Sequence, residues 1–97
     1  MISIANSIKS DNIYYMIRKK IEEKVKVLAG EIFKIPPEQI SLNSSLVFEL
    51  DVDSLSIVEL LMAVENEFSI EFPDSLNQEI NSLNDIIDYI VESSSKN

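Results

Sequence analysis

The sequence predicts an all-α protein, a bundle of four helices with a short third helix and a long loop between helices one and two. Three observations carry this reading. Apolar residues recur three or four apart in three long segments, no stretch alternates convincingly as a strand would, and Pro36, Pro37 and Pro73 punctuate the helical runs. Ninety-seven residues suit one small core rather than two.

The first helix is expected from Asp11, with Ser10 or Asp11 as its cap. Ile13, Ile17, Ile21, Val25, Leu28 and Ile32 form one apolar face, with Lys and Glu on the other. Pro36 and Pro37 cannot continue the hydrogen-bond ladder, so this helix ends near Phe33 or Lys34. A loop from Glu38 to Val52 follows, pinned over the core by Ile40, Leu42, Leu46, Phe48 and Leu50. The second helix starts at Asp53 or Ser54 and runs to about Phe68, and a short third helix fits Asp74 to Glu79. Ser82, with Asp85 three residues on, offers a start resembling a capping box for a last helix carrying Leu83, Ile86, Ile87, Ile90 and Val91. The expected division is a flexible extension over 1–10, one folded domain over 11–92 and a frayed tail over 93–97.

At about 100° per residue, Ile57, Leu60, Leu61, Val64 and Phe68 fall in one arc of the second helix and face the core. Leu55, Val58 and Met62 form a second stripe, flanked by Glu59 and Glu65. Two arrangements fit it. Either the last helix or the long loop covers the stripe, or it is an exposed apolar strip rimmed by acids, suited to a partner with an apolar groove and a basic rim.

Composition removes several functions. With no Cys and no His, the chain lacks a thiolate, a disulfide and the commonest general base and metal ligand. Net charge is −9 and unevenly placed: residues 1–34 carry seven cations against four acids, while residues 35–97 carry thirteen acids against Lys96 alone. Such an acidic region repels nucleic-acid phosphates and anionic lipid, and no segment is apolar for long enough to span a bilayer. The expectation is a soluble, cytoplasmic monomer that binds neither nucleic acid nor membrane and has no catalytic residues.

Ser54, in FELDVDSLSIVEL, is the residue that asks for a chemical role. It could cap the second helix. It could be a nucleophile, but nothing beside it serves as a base. It could carry a phosphate ester, because the free amides and dipole of a helix start favour an anion there. A calcium loop starting at Asp51 fails: its fifth, sixth and twelfth positions are Leu55, Ser56 and Met62. No metal site is expected.

IEEKVKVLAGEIF, LVFELDVDSLSIVELLMAVENEF and EFPDSLNQEINSLNDIIDYI together resemble the acyl carrier proteins of fatty-acid and polyketide synthesis, over about residues 21–92 and without a gap. The DSL core is a weak match alone; followed by VELLMAVENEF and SLNDIIDYI it is specific. The resemblance implies an acyl-carrier type of bundle that is not an enzyme. It implies that a phosphopantetheinyl transferase attaches 4′-phosphopantetheine from coenzyme A to Ser54, with Asp53 beside it, and that the thiol of that group holds acyl chains as thioesters. It implies that acyl-transfer and synthesis enzymes with basic docking surfaces meet Leu55, Val58, Glu59, Met62 and Glu65. It also implies that Leu60, Leu61, Val64, Phe68, Ile80 and Ile86 line the acyl chain.

The sequence departs from the family pattern at Asp51, where Gly is usual two places before the Asp of DSL, at Ser56 and Asn66, where acids are frequent, and at Phe48, where a polar residue is common. These departures bear on which partners it serves. An aminoacyl, peptidyl or D-alanyl carrier shares the same serine and remains an alternative, as does an unmodified acidic interaction module in which Ser54 is only a cap. IYYMIRKK precedes the resemblance and either lengthens the first helix or forms an arm.

Overall fold

A computed structural model describes residues 2–47 and 49–95, and those residues are all helix, turn or loop. Helix α1 spans Ile2–Phe33, α2 Ser54–Phe68, α3 Leu76–Glu79 and α4 Leu83–Ser95; one 3-10 turn, Pro37–Gln39, interrupts the long loop. Among the described residues no helix is long and apolar enough to cross a membrane.

The first helix begins well before the expected start. Ser10 and Asp11 lie within α1 rather than capping it, and residues 2–10, set apart as an extension, continue the same helix. The physical reason is that nothing breaks the chain there: no Pro or Gly occurs before Gly30. At its other end α1 closes with Lys34 in the left-handed region, φ 62°, and Ile35 N donating to Gly30 O at 3.1 Å. The chain then doubles back so tightly that a Cβ on Gly30 would lie 2.8 Å from Ile35 O and 3.1 Å from Pro37 Cγ. The single glycine is where backbone approaches backbone.

Only part of the expected apolar face of α1 is packed. Ile21, Val25 and Ala29 are buried, and Leu28 and Ile32 pack against the core, but Ile13 and Ile17 are exposed. Length explains the difference. Helices α2 and α4 have 15 and 13 residues and α1 has 32; at 1.5 Å per residue, the two short helices cover roughly 20 Å of a rod of about 48 Å. Arg18 marks the edge of the bundle. Its Nη1 pairs with Asp88 at 2.8 Å, its Nε with Glu22 at 3.3 Å, and its Nη2 donates to Asn84 Oδ1 at 3.3 Å. Burial opposes the Arg18 charge, but the hydrogen bond and charge of Asp88, with Glu22 beside it, outweigh that and raise its pKa above the ordinary value.

The loop after α1 is tied down at both chemical levels. Ile40 and Leu46 are buried, Leu42 and Leu50 partly so, and Val52, not anticipated, is buried as well. Phe48, the remaining expected pin, lies outside the described residues. Leu46 N donates to Asn81 O at 2.8 Å and Asn84 N to Leu42 O at 3.0 Å, while the Asn84 side chain donates to that of Asn43. These bonds satisfy loop backbone that would otherwise be stranded over the core. At the start of α4, Asp85 Oδ2 accepts from Asn81 N and Ser82 N at 2.7 and 3.1 Å. That is the reciprocal half of the expected capping box. Leu83, Ile86, Ile87 and Ile90 of α4 are fully buried beside Leu60 and Val64 of α2. Phe72 and Tyr89 close the far side edge to face, 5.0 Å between ring centres.

Candidate functional site

The segment that leads into α2 is held by its own turn. Glu49 N and Leu50 N donate to Ser45 O at 3.0 and 3.1 Å, and Val52 N to Leu46 O at 2.8 Å. Between them Asp51 adopts φ 56°, the left-handed region that favours glycine. This reversal turns Val52 into the core and leaves Asp53, Ser54 and Leu55 facing solvent. The position where the family pattern has Gly is therefore one where the backbone needs the freedom Gly supplies. An aspartate tolerates that region better than most side chains do.

Asp53 is the cap of α2. With φ −83° and ψ 166° it stands just outside the helix, and its Oδ1 accepts from Ser56 N at 2.8 Å. Ser54 is thus the first residue inside the helix, exposed, and not needed as a cap. The capping role considered for Ser54 belongs to Asp53, whose carboxylate is turned towards the third helical amide. A phosphodiester on Ser54 fits this arrangement: its oxygen opens to solvent, and the first-turn amides and dipole lie next to it.

Along α2 the two stripes separate as the periodicity requires. Ile57, Leu60, Leu61 and Val64 are buried and Phe68 packs against the core. Leu55 and Met62 are 69% and 62% exposed, Val58 is half-buried and Glu59 is exposed, so neither the last helix nor the loop covers this strip. Glu65 differs from its neighbours. It is half-buried, and its Oε2 accepts from Phe72 N at 2.7 Å, tying the segment after α2 to the helix. Ser69 ends α2 in the left-handed region, φ 55°, with Ile70 N donating to Glu65 O at 3.1 Å.

Of the six expected chain-lining residues, Leu60, Val64 and Ile86 are sealed in the core, Ile80 is nearly so, and Phe68 is half-buried. Leu61 borders an open cleft of about 330 Å³ shared with Val58, Met62, Glu65, Phe72, Pro73 and Asp74. The structure therefore brings the exposed strip and the core stripe together at Leu61. Sequence reasoning missed the Arg18 clasp, although Glu22 four residues on and Asp88 on an acidic helix face were both visible. It also missed the run of exposed apolar residues from Ile13 to Ile17.

Residues 23–90 match the family model described as "Phosphopantetheine attachment site". The chain is 39% identical over 77 residues to an acyl carrier protein of Cyanidioschyzon merolae, covering 79% of this chain and 85% of that protein. It is 43% identical over 68 residues to an acyl carrier protein of Clostridium acetobutylicum, covering 70% and 88%. An all-helical bundle, a helix that opens on an exposed serine, and these matches lead to one conclusion: the chain belongs to the acyl carrier protein family, a phosphopantetheine-bearing carrier and not an enzyme.

Proposed function

We propose that Ser54 receives the 4′-phosphopantetheine and that the protein, in the cytoplasm, delivers acyl thioesters to fatty-acid or polyketide synthesis enzymes. The observation that carries this reading is the placement of Ser54: exposed, at the first helical position, with Asp53 already serving as cap. A separate phosphopantetheinyl transferase would supply the base that takes the hydroxyl proton. The serine oxygen then forms the new bond to the pantetheine-side phosphorus of coenzyme A, and the bond to the adenosine bisphosphate half breaks. The group supplies a thiol, which this chain lacks.

The chain's own residues do the rest. Leu55, Val58 and Met62 offer apolar contact, and Glu59 and Glu65 a negative rim, to basic docking surfaces on synthesis enzymes. Leu60, Leu61, Val64, Phe68, Ile80 and Ile86 are the residues that part to shelter a chain. The cleft at Leu61 supports entry between α2 and the segment around Phe72. Incubation with coenzyme A and a broad-specificity transferase should add one phosphopantetheine mass to the wild type and none to Ser54→Ala. An unmodified wild type, or a gain that persists in Ser54→Ala, defeats the assignment.

A further inference from the structure

Ser54, Val58, Leu61 and Glu65 recur four, three and four residues apart, so they share one face of α2. The cleft of about 330 Å³ follows that face: Val58, Leu61, Met62 and Glu65 form one wall, and Phe72, Pro73 and Asp74 the other. Leu61 stands about 10 Å along the helix axis from Ser54. Behind it the interior is closed, with Leu60, Val64 and Ile86 wholly buried and Ile80 nearly so. The second wall belongs to a strap between α2 and α3 that is held from both sides. Glu65 Oε2 accepts from Phe72 N at 2.7 Å, Ile70 N donates to Glu65 O at 3.1 Å, and the Phe72 ring meets Tyr89 edge to face. Glu59, on the same helix, is exposed, whereas Glu65 is half-buried at the foot of the strap.

We propose that Glu65 determines cargo length: its hydrogen bond to Phe72 N latches the strap and so sets how long an acyl chain must be before it enters the bundle. Such a role rests on Ser54 bearing the arm. A short acyl group fits the cleft as it stands. A longer one has to lift Phe72 to pass Leu61, and lifting Phe72 breaks the bond to Glu65. A hydrogen bond to a carboxylate is worth about as much as the burial of two to four methylenes, and a half-buried carboxylate belongs at the lower end of that range. A chain therefore gains by entering only when it has about two carbons to bury beyond the cleft. Glu65 touches no reacting atom; it acts through the strap, as a positioning residue.

A transferase supplied with acyl-coenzyme A thioesters from acetyl to decanoyl should load the protein, as intact mass reports, and hydroxylamine then reads how far each thioester is sheltered. In the wild type, acetyl should be cleaved freely and protection should rise with chain length. Glu65→Ala should leave acetyl unchanged and move the protection curve about two carbons shorter, which at intermediate lengths is roughly tenfold slower cleavage. Glu65→Gln keeps a neutral acceptor of the same size and should fall between. In the unloaded protein, Glu65→Ala should speed hydrogen exchange of the Phe72 amide roughly tenfold and leave the Leu60 and Ile87 amides unchanged. A merely structural role moves protection the other way, since a loosened bundle shelters every chain less. Equal curves for wild type and Glu65→Ala, or protection lost in the variant, overturn the proposal. So does a gain without faster Phe72 exchange, which would mean that added room in the cleft admits the chain. A wild type that takes up no acyl arm defeats the Ser54 reading, and this one with it.

Discussion

Two residues concentrate the backbone demands of this fold. Gly30 sits inside α1, where Ala is normally favoured by roughly 1 kcal/mol, yet its missing Cβ leaves room for the Ile35 carbonyl. Gly30→Ala should therefore destabilise by about 1–3 kcal/mol, measured by urea unfolding, because a backbone oxygen cannot swing aside as a side-chain tip can. Asp51 presents the opposite case, a side chain held where glycine is at ease. Asp51→Gly should be neutral or stabilise by up to about 1 kcal/mol, whereas Asp51→Val should cost about 1–2 kcal/mol or more, since a branched Cβ crowds the left-handed region. The denaturation midpoint of the Gly variant should lie at or above that of the wild type and that of the Val variant below it, and a Val variant as stable as the Gly variant would remove the strain argument. At this scale the sequence was legible where chemistry is local. Asp53 and Ser54 could be placed at a helix start, but which of them caps depends on one backbone torsion that residue type does not set. Lys34 and Ser69 in left-handed conformations carried no sequence signal, because the residue preferred there is glycine and neither position has it.

Among the elements, α2 was the most legible, since a 15-residue helix fixes its own angular bookkeeping: Leu60 and Val64 are sealed and Leu55 and Met62 stand out, as 100° per residue requires. The same arithmetic misled at α1. Periodicity says which side of a helix is apolar, not how far its neighbours extend, so Ile13 and Ile17 share the apolar face of Ile21 and Val25 and yet stand exposed, beyond the point at Arg18 where the covering helices stop. That residue is the clasp between α1 and α4. Arg18→Ala should cost about 1 kcal/mol, the value of a partly exposed charged network rather than a buried one. Asp88→Asn should lose a smaller share, because Glu22 and Asn84 still hold the guanidinium. Truncating the core instead, as in Leu60→Ala, should cost about 2–5 kcal/mol. A thermal-melt series that ranks Arg18→Ala above Leu60→Ala would mean that the ion network, not apolar packing, holds α1 to the bundle.

At the scale of the whole molecule, charge is the term that solvent can change. Thirteen acids among residues 35–97 face one another with Lys96 as the only cation there, and α1 supplies most of the compensating charge. Among the described residues, Arg18 with Asp88 and Lys24 with Glu67 join these halves, the latter at 3.1 Å and well exposed. Added salt screens both effects, weakening the pairs and relieving the repulsion. The pairs are worth roughly 0–1 kcal/mol each, while a net charge of −9 on 97 residues acts over the whole surface. Repulsion should dominate, so moderate salt should stabilise by about 1 kcal/mol, which for a domain of this size is a rise in Tm of about 4–8 °C. Divalent cations should act in the same direction. A Tm that falls as sodium chloride is raised would place the stabilising electrostatics in the Arg18 and Lys24 pairs and make the acidic surface neutral for stability.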